Sequence, residues 1–567
     1  MDPVTGEFAG GASPGETRSF NSVWDASEGK VALVAARGEI AAFQVAVEAS
    51  AGPLEDVTLA LEDLTGGHAS IGASGIRIYR EWYVKPHRAW VADYAIPLDA
   101  AIPIPYPPNG VTGQRVQSFW IDIHVPKAAA PGTYTGALTV SAAGVADAVL
   151  EVEIEVCGAV LPDEMTFWAE LNGYGAPGGA GTPYYYDAHR IAHYNRCCIN
   201  IVPYDQGPDG DQEYRPQIEG TGAATRVVDW SEFDAVQGPL LDGSAFAGLP
   251  RDGVALRVFY LPFYEYWPAP FLENYDWGQP PSAETLNLNY LGAPPIEEAV
   301  SEDFKAAWRS VVPEFVDHFR AMGWTHTIFE CYTNNKWHMA GTMFWNLDEP
   351  AVREDYRAIR FFGRLFKDAL GDPGEIQMLF RGDISRPQWQ FDDFNGIMDI
   401  EYVNTGVVDM VRSVQEANRR AGSRFVVYGH ANEITRSNFE TVQWCLTSYL
   451  CGADGVLPWN SFDATDAFTR GSRNGLIIDG APAGHRGPVA SLRVFAFRRG
   501  VQDVEILKML AAKKGWTADQ MAVFINAFVP LGSDFTQAFT DEAAAATYEA
   551  AGAAGFVALR KAALDAL

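Results

Sequence analysis

The sequence predicts a multidomain protein of α/β and all-β class, in which a β-sandwich precedes a (β/α)8 TIM-type barrel and a helical segment follows. Three observations carry this prediction. Short period-two runs fill the first part of the chain, strand-like and helix-like segments then alternate over about 335 residues, and the last part is Ala-rich and helical. We therefore expect a flexible leader over 1–18, the sandwich over 19–162, the barrel over 163–500 and the helical segment over 501–567.

The sandwich is expected to contain about seven or eight strands, because apolar and polar residues alternate in short runs that turn residues separate. The runs are KVALVAA, EIAAFQVAVEA, VTLALEDL, IRIYREWYV, SFWIDIHV, GALTVSA and AVLEVEIEV. The pattern changes after LPDE at 161–164, which places the end of the sandwich there.

The barrel region contains nine strand candidates, which is one more than a closed (β/α)8 barrel needs. Two of them, THTIFECY and MFWNLDEP, are too close in sequence for a crossover helix, so one of the pair should belong to a hairpin or loop. The clearest helix runs through SEDFKAAWRSVVPEFVDHFRAM, with Gly323 as its C-terminal cap, and a second runs through EDYRAIRFFGRLFKDAL to Gly371.

Composition excludes several kinds of partner. The 567 residues carry 42 basic and 72 acidic side chains, a formal charge of −30, which disfavours nucleic acids and anionic lipid surfaces. No apolar run is long enough to span a bilayer, and the first residues lack the features of a signal peptide. At face value the chain is cytoplasmic, or it is secreted or periplasmic with its signal removed. The six cysteines show no CxxC spacing and are expected to be mostly buried thiols.

The most informative motif is FWNLDEP at 344–350, an apolar run that ends in two adjacent acids and a proline. Proline should hold Glu349 extended and end the strand, which places Asp348 and Glu349 at the active-site end of a barrel. Two neighbouring carboxyl groups shift each other's pKa, so one can donate a proton beside a charged partner. The alternative is that Asp348 caps the following helix and Glu349 lies in its first turn.

Polar and aromatic residues end the other predicted strands as well. Acids, amides, a few cations and many Trp and Tyr rings are what a sugar site requires, since hydroxyls need hydrogen bonds and sugar faces need flat apolar surfaces. No metal-ligand, nucleotide or serine-hydrolase motif is present, so no cofactor or metal is predicted. These strand-end residues are Glu170, Asn172, Tyr204, Asp205, Glu330, Tyr332, Asn334, Asn335, Lys336, Arg381, Asp383, Arg386, Glu401, Tyr402, Asn404, Tyr428, His430, Asn432, Glu433, Trp459, Asn460 and Ser461.

The chain resembles glycoside hydrolase family 123, the β-N-acetylgalactosaminidases, and the wider group that shares their catalytic domain. The first part of the resemblance lies in ARGEIAAFQVAVEA and DIHVPKAAAPGTYTGALTV, which look like that group's sandwich. The segments that look like its barrel are YDAHRIAHYNRCCINIVPY, YTNNKWH, WNLDEP, RGDISRPQW, VVYGHANEITRSN, GADGVLPWNSF and SLRVFAFRRGVQDVEIL.

The resemblance implies an exo-acting hydrolase of GalNAc-terminated oligosaccharides or glycolipid glycans, with a retaining mechanism in which the substrate's 2-acetamido group is the nucleophile. By position, Glu349 would be the acid and base and Asp348 would orient the acetamido group. Sugar contacts are expected from Trp345, Tyr402, Trp459, Lys336, Arg381 and Asn404. Two alternatives stay open: a conventional retaining glycosidase with Glu433 or Glu401 as its nucleophile, and a non-catalytic glycan-binding protein.

Overall fold

The computed structural model describes the chain except for residues 8–13, 68, 176, 204–214, 277–293, 337–344, 386, 392, 406–421, 535–546 and 550. Apart from a short helix α1 (Pro14–Ser19) and two 3-10 turns (Ala73–Gly75 and Pro107–Asn109), the regular structure described before residue 161 consists of strands. They are β1 (Trp24–Asp25), β2 (Lys30–Arg37), β3 (Ile40–Glu48), β4 (Leu54–Leu61), β5 (Leu64–Gly66), β6 (Ala69–Ile71), β7 (Ile76–Val84), β8 (Val91–Pro97), β9 (Ile102–Ile104), β10 (Val116–His124), β11 (Gly132–Ala142) and β12 (Val145–Val160).

These strands form two sheets that face each other, as predicted. One has the order β1-β2-β12-β11-β4-β9, with β5 and β6 attached to β11, and the other contains β8-β7-β10-β3. Phe43, Phe119 and Ile121 of the second sheet and Leu138 and Ile154 of the first meet in one buried core. The first residues of the chain adjoin this sandwich, because the carbonyl of Pro3 accepts from the amides of Arg115 and Val116.

The next part of the chain is a barrel of eight parallel strands, which confirms the predicted fold class. The strand order β14-β13-β22-β21-β20-β19-β18-β17 follows the chain around the barrel. The two ends of this order are joined by a side chain, since Asn200 Oδ1 accepts from the Tyr260 amide at 2.9 Å. The strands of this region are β13 (Trp168–Tyr174), β14 (Cys197–Val202), β15 (Gln217–Glu219), β16 (Arg226–Asp229), β17 (Val258–Tyr260), β18 (Ile328–Tyr332), β19 (Gln377–Asp383), β20 (Ile400–Asn404), β21 (Arg424–Gly429) and β22 (Gly455–Pro458).

Helices pack around the barrel where the apolar periodicity predicts them. The longest of them runs over Glu302–Met322. Ser301 caps its start by accepting from the Phe304 amide, and Gly323 ends it in the left-handed conformation at φ 73°. The helices are α2 (Pro183–Tyr194), α3 (Ser231–Leu241), α4 (Ile296–Ala299), α5 (Glu302–Met322), α6 (Arg353–Leu370) and α7 (Phe439–Leu450).

The C-terminal part joins the barrel to the sandwich. Two strands, β23 (Ile477–Asp479) and β24 (Pro488–Ser491), pair with each other, and β24 extends the second sandwich sheet beside β8. The predicted boundary at residue 500 falls inside a continuous helix, α8 (Leu492–Lys514), and α9 (Ala518–Asn526), β25 (Ser533–Asp534), β26 (Thr547–Tyr548) and α10 (Ala553–Ala566) follow it. None of the described helices is long and apolar enough to cross a membrane.

Candidate functional site

The ninth strand candidate is a loop at the carboxyl end of the barrel, and this corrects the predicted strand over MFWNLDEP. Residues 337–344 lie outside the described part of the chain, and in 345–350 only an isolated bridge pairs Asn346 with Lys336. One of the two segments was expected to be a hairpin or loop, and this is confirmed: THTIFECY supplies β18, whereas MFWNLDEP does not join the barrel sheet.

Glu349 is not extended, contrary to the prediction from the proline that follows it. Its φ is 58°, in the left-handed region that residues with a side chain rarely adopt. The conformation is held from β19, because the Glu349 amide donates to the Asp383 carbonyl at 3.0 Å. Strain of this kind persists only where neighbouring groups enforce it and is frequent at functional sites.

Asp355, and not Asp348, caps the helix that follows the loop. The Asp355 carboxylate is fully buried and accepts from the amides of Asn346, Ala351 and Val352 at 3.0, 2.8 and 2.9 Å. These bonds fasten the start of α6 and the loop to each other. The capping interpretation of Asp348 is therefore wrong, and its carboxylate has other partners.

Lys336 binds both acids of the loop. Its Nζ lies 2.6 Å from Glu349 Oε2 and 3.1 Å from Asp348 Oδ2. Burial raises the pKa of Asp348 to about 7, the Glu349 and Asp383 carboxylates add to this rise, and Lys336 opposes it. Burial alone would lower the pKa of Lys336, but the two paired carboxylates outweigh it and hold the pKa above its usual range. Lys336 is thus a fixed cation between two acids.

A hydroxyl relay reaches Glu349 from the other side. Tyr428 donates to Glu349 Oε1 at 2.9 Å, so Ser385, 2.8 Å from the Tyr428 hydroxyl, donates to it in turn. Tyr174 and Tyr332 complete the surroundings, since burial and the negative charge of Asp348 raise the pKa of each phenol. Tyr428 and Tyr332 follow from the strand-end pattern. Tyr174 ends β13 and was missed there, and Ser385, in a loop, has no signal in the sequence.

The backbone next to Lys336 is held by a buried acid that sequence reasoning also missed. Glu265 Oε1 accepts from the Asn335 amide at 2.9 Å, and Asn335 donates from its side chain to the Trp345 carbonyl at 3.0 Å. Burial raises the pKa of Glu265 to about 7, although the Asn335 amide opposes the rise. Glu265 therefore supports both segments that carry the site, the one with Lys336 and the one with the acids.

Two of the predicted sugar-binding residues point into the barrel instead of the site opening. Tyr402 is fully buried, and its hydroxyl contacts Glu170 and Glu330 at 2.5 and 2.8 Å. Arg381 is 1% exposed and pairs with Glu170, Glu330 and Asp383. The structure gives both residues protein partners and no surface that a sugar could reach.

Of the other predicted sugar contacts, Trp345 and Asn404 are also buried, whereas Trp459 is exposed. Trp345 is 3% exposed and packs edge-on against Phe271 and Tyr275 at centroid distances of 6.1 and 5.5 Å. Asn404 ends β20 on the same strand face as Tyr402 and is also buried. Trp459 is different, because this residue, just beyond β22, is 41% exposed. Among the predicted aromatic contacts, Trp459 alone offers an open face for stacking.

Three residues of the strand-end pattern, Tyr204, Asp205 and Arg386, lie outside the described part of the chain. Within the described part, no three His, Cys, Asp or Glu side chains are arranged to hold a metal ion.

Comparisons with known proteins agree with this architecture. Residues 19–142 match the family model described as the glycoside hydrolase 123 N-terminal domain. Among solved structures, a family 123 glycoside hydrolase from Clostridium perfringens, described in work on glycolipid glycan hydrolysis, has a TM-score of 0.60 at 14% identity, over 95% of this chain and 92% of that chain. At that identity the likeness shows the fold.

Two further solved structures are more distant. An endo-β-1,4-mannanase from Thermotoga petrophila has a TM-score of 0.34 at 10% identity, over 60% of this chain and 78% of that chain. A family 39 glycoside hydrolase from Bacteroides cellulosilyticus has a TM-score of 0.32 at 12% identity, over 77% and 79%. No curated protein sequence matches this chain.

Proposed function

We propose that this protein is a member of glycoside hydrolase family 123, which the match of its N-terminal domain and its fold support, and that it releases terminal β-linked N-acetylgalactosamine from glycans. The observation that carries the proposal is the convergence of two adjacent carboxylates, Asp348 and Glu349, on one lysine at the carboxyl end of the barrel. This is the end at which barrel enzymes hold their active sites.

The proposed reaction is retaining and uses the substrate's own acetamido oxygen as the nucleophile. Asp348 accepts the acetamido N–H and stabilises the positive charge that develops as the oxygen attacks the anomeric carbon. Glu349 donates its proton to the glycosidic oxygen as the bond between that oxygen and the anomeric carbon breaks, and an oxazolinium ion, whose N–H hydrogen-bonds to Asp348, is left on the sugar. Glu349 then takes a proton from water, whose oxygen attacks the anomeric carbon and opens the oxazolinium ring with net retention.

The side-chain arrangement supports this assignment over one with a protein nucleophile. Glu401, one alternative nucleophile, neighbours Tyr402 on β20 and therefore faces away from the barrel interior. Glu433, the other, is paired with Arg473 at 3.0 Å. If the substrate supplies the nucleophile, neither Asp348 nor Glu349 has to attack the sugar, and both can fill the roles proposed above.

Substrate binding is proposed to use the exposed ring of Trp459 as the stacking face. The segment that carries Trp459, Asn460 and Phe462 packs closely against β13 because residue 173 of that strand is glycine. A side-chain carbon at Gly173 would come within 2.5 Å of the Phe462 ring and 3.2 Å of Asn460 Oδ1. A glycan terminating in GalNAc, on a lipid or an oligosaccharide, fits a site that offers acids, a cation and one aromatic face.

The decisive experiment measures hydrolysis of aryl β-GalNAc and aryl β-galactoside by the wild-type protein and by Glu349→Gln, with Glu433→Gln as the matched control. We expect cleavage of the GalNAc substrate alone, inhibition by GalNAc-thiazoline, and a loss of about 100-fold or more in Glu349→Gln. Equal cleavage of the galactoside would refute acetamido participation. Loss of activity in Glu433→Gln, together with a covalent adduct on Glu433 of the wild-type protein, would support the conventional mechanism. Binding without turnover would indicate a glycan-binding protein.

A further inference from the structure

Below the proposed active site, two glutamates face each other inside the barrel. Glu170 comes from β13 and Glu330 from β18, and both are fully buried. Three side chains bridge the pair: Asn200 Nδ2 contacts both acids at 3.0 and 3.1 Å, Arg381 Nη1 contacts both at 2.9 Å, and the Tyr402 hydroxyl contacts both at 2.5 and 2.8 Å.

Counting hydrogens shows that this arrangement lacks one if both acids are ionised. The amide and guanidinium nitrogens supply two hydrogens each and the phenol supplies one, so five hydrogens serve six contacts. A carboxyl proton on one glutamate completes the set. The shorter Tyr402 contact is to Glu170, so the phenol donates there and a protonated Glu330 donates to the phenol oxygen.

The electrostatics of the interior agree with this count. Burial raises the pKa of Glu330 to about 8, the facing Glu170 carboxylate adds to the rise, and Arg381 opposes it. The other titratable groups that act on the pair are Cys198 from β14, Tyr260 from β17 and Tyr402 from β20, and Asp383 from β19 acts on Arg381. Burial raises the pKa of Cys198, Tyr260 and Tyr402 above the usual range, so these three stay neutral.

The same arginine connects the glutamate pair to the proposed acid. Arg381 forms a fork with the Asp383 carboxylate, from Nε at 2.9 Å and Nη2 at 3.2 Å, and its guanidinium lies 3.5 Å from the centre of the Tyr402 ring. Asp383 in turn supplies the carbonyl that holds the Glu349 amide in its left-handed conformation. A rigid path of direct contacts therefore runs from the buried glutamates to the backbone of Glu349.

We propose that Glu170 and Glu330 share one proton in the working protein, and that Arg381 and Asp383, fixed by this pair, are positioning residues for Glu349. The role in catalysis rests on the proposed function, whereas the shared proton does not. The protonated pair carries one negative charge, which with Asp383 is opposed by the single cation of Arg381. Loss of the proton would put a second charge on the pair.

Infrared difference spectroscopy tests the proton without reference to activity. The spectrum of wild-type protein minus Glu330→Gln, recorded at about pH 6, should show the carbonyl band of a protonated carboxyl group that shifts in D2O. Carboxylate bands in its place would mean that Glu330 is ionised and would overturn the shared proton.

Leaving-group dependence tests the positioning role. In Asp383→Asn we expect kcat/KM to fall about 100-fold for an alkyl β-GalNAc, mainly through kcat, but less than about tenfold for the dinitrophenyl glycoside, which needs little protonation. Asp93→Asn is the matched control, because Asp93 forms a buried fork with Arg493 at 2.9 and 3.0 Å. Its deficit should be the same for both substrates.

Equal deficits for both substrates in Asp383→Asn would reduce Asp383 to a structural residue and overturn the positioning role. If the wild-type protein cleaves no aryl glycoside, the proposed function fails and the positioning role fails with it. The infrared band still decides whether the proton is shared.

Discussion

Lys336 contacts the carboxylates of both Asp348 and Glu349, but these two carboxylates differ in their exposure to solvent. The Asp348 side chain is 9% exposed and the Glu349 side chain 25% exposed, and Lys336 is closer to Glu349. Because burial raises its pKa to about 7, Asp348 changes its protonation state around neutral pH, where an ordinary aspartate is ionised. The proposed mechanism needs Asp348 ionised and Glu349 protonated. The acetamido N–H of a bound sugar favours that state, because it hydrogen-bonds to the ionised form of Asp348.

The pH dependence of kcat/KM should therefore show an acid limb near pH 7, where Asp348 ionises in the free protein. Lys336 lowers the pKa of Asp348, so Lys336→Met should move this limb to higher pH, by about one unit or more. The measurement is kcat/KM for aryl β-GalNAc across the pH range. Lys305→Met, which removes a lysine paired with Glu302 on the surface of α5, should leave the limb in place. A limb that stays in place or moves to lower pH in Lys336→Met would contradict this account.

At the scale of elements, the sequence predicts the barrel strands well and fails at the loop that carries the acids. In MFWNLDEP the buried apolar residues Trp345 and Leu347 alternate with the polar residues Asn346 and Asp348, and such period-two alternation is also what a strand shows. The difference lies in the partners of the backbone amides: those of Asn346 and Ala351 donate to the Asp355 side chain, and that of Glu349 donates to the last residue of β19, so no regular strand ladder forms. Local pattern carries no information on such partners. The same limit applies to Tyr402 and Arg381, whose strand-end positions were predicted but whose inward contacts were not.

The Asp355 carboxylate should therefore matter to activity as well as to stability. Asp355→Ala removes three acceptors from buried amides and is expected to lower the free energy of unfolding by about 2–4 kcal/mol. Because the same carboxylate fastens the loop, kcat for aryl β-GalNAc should fall at least tenfold at a temperature where the variant is fully folded. Asp355→Asn keeps one acceptor oxygen, so its free energy of unfolding and its kcat should lie between those of Asp355→Ala and the wild-type protein.

Ser301→Ala provides the matched control for this cap. The Ser301 hydroxyl accepts from the Phe304 amide at the start of α5 and donates to Asn274 Oδ1, and it makes no bond to the loop with the acids, so its loss should cost about 1–2 kcal/mol and leave kcat unchanged. An Asp355→Ala variant that is destabilised but has wild-type kcat would show that the loop keeps its shape without the carboxylate.

At the scale of the whole molecule, α8 joins the sandwich to the barrel through buried ion pairs. Arg498 forms a fork with Asp122 of the sandwich strand β10, at 2.5 and 2.8 Å, and also donates to Asn195 after α2 at 2.9 Å. Farther along, Gln502 bonds both the amide and the carbonyl of Ile40. The sequence marks the helix but not this role, because the pairing partners lie more than 300 residues away.

Breaking the Arg498 pair on one side should be far more costly than replacing both partners. Asp122→Ala leaves a buried guanidinium without its counter-charge and should lower the free energy of unfolding by about 3–5 kcal/mol, measured by urea denaturation. The double variant Asp122→Leu with Arg498→Met, which fills the space with apolar side chains, should recover most of that loss. Asp565→Ala, which removes an exposed pair with Lys561, should give no measurable change. If the double variant is as unstable as Asp122→Ala, the loss of stability does not come from an uncompensated charge. It then comes from the hydrogen bonds of Arg498, and the ion pair itself stabilises the contact between sandwich and barrel.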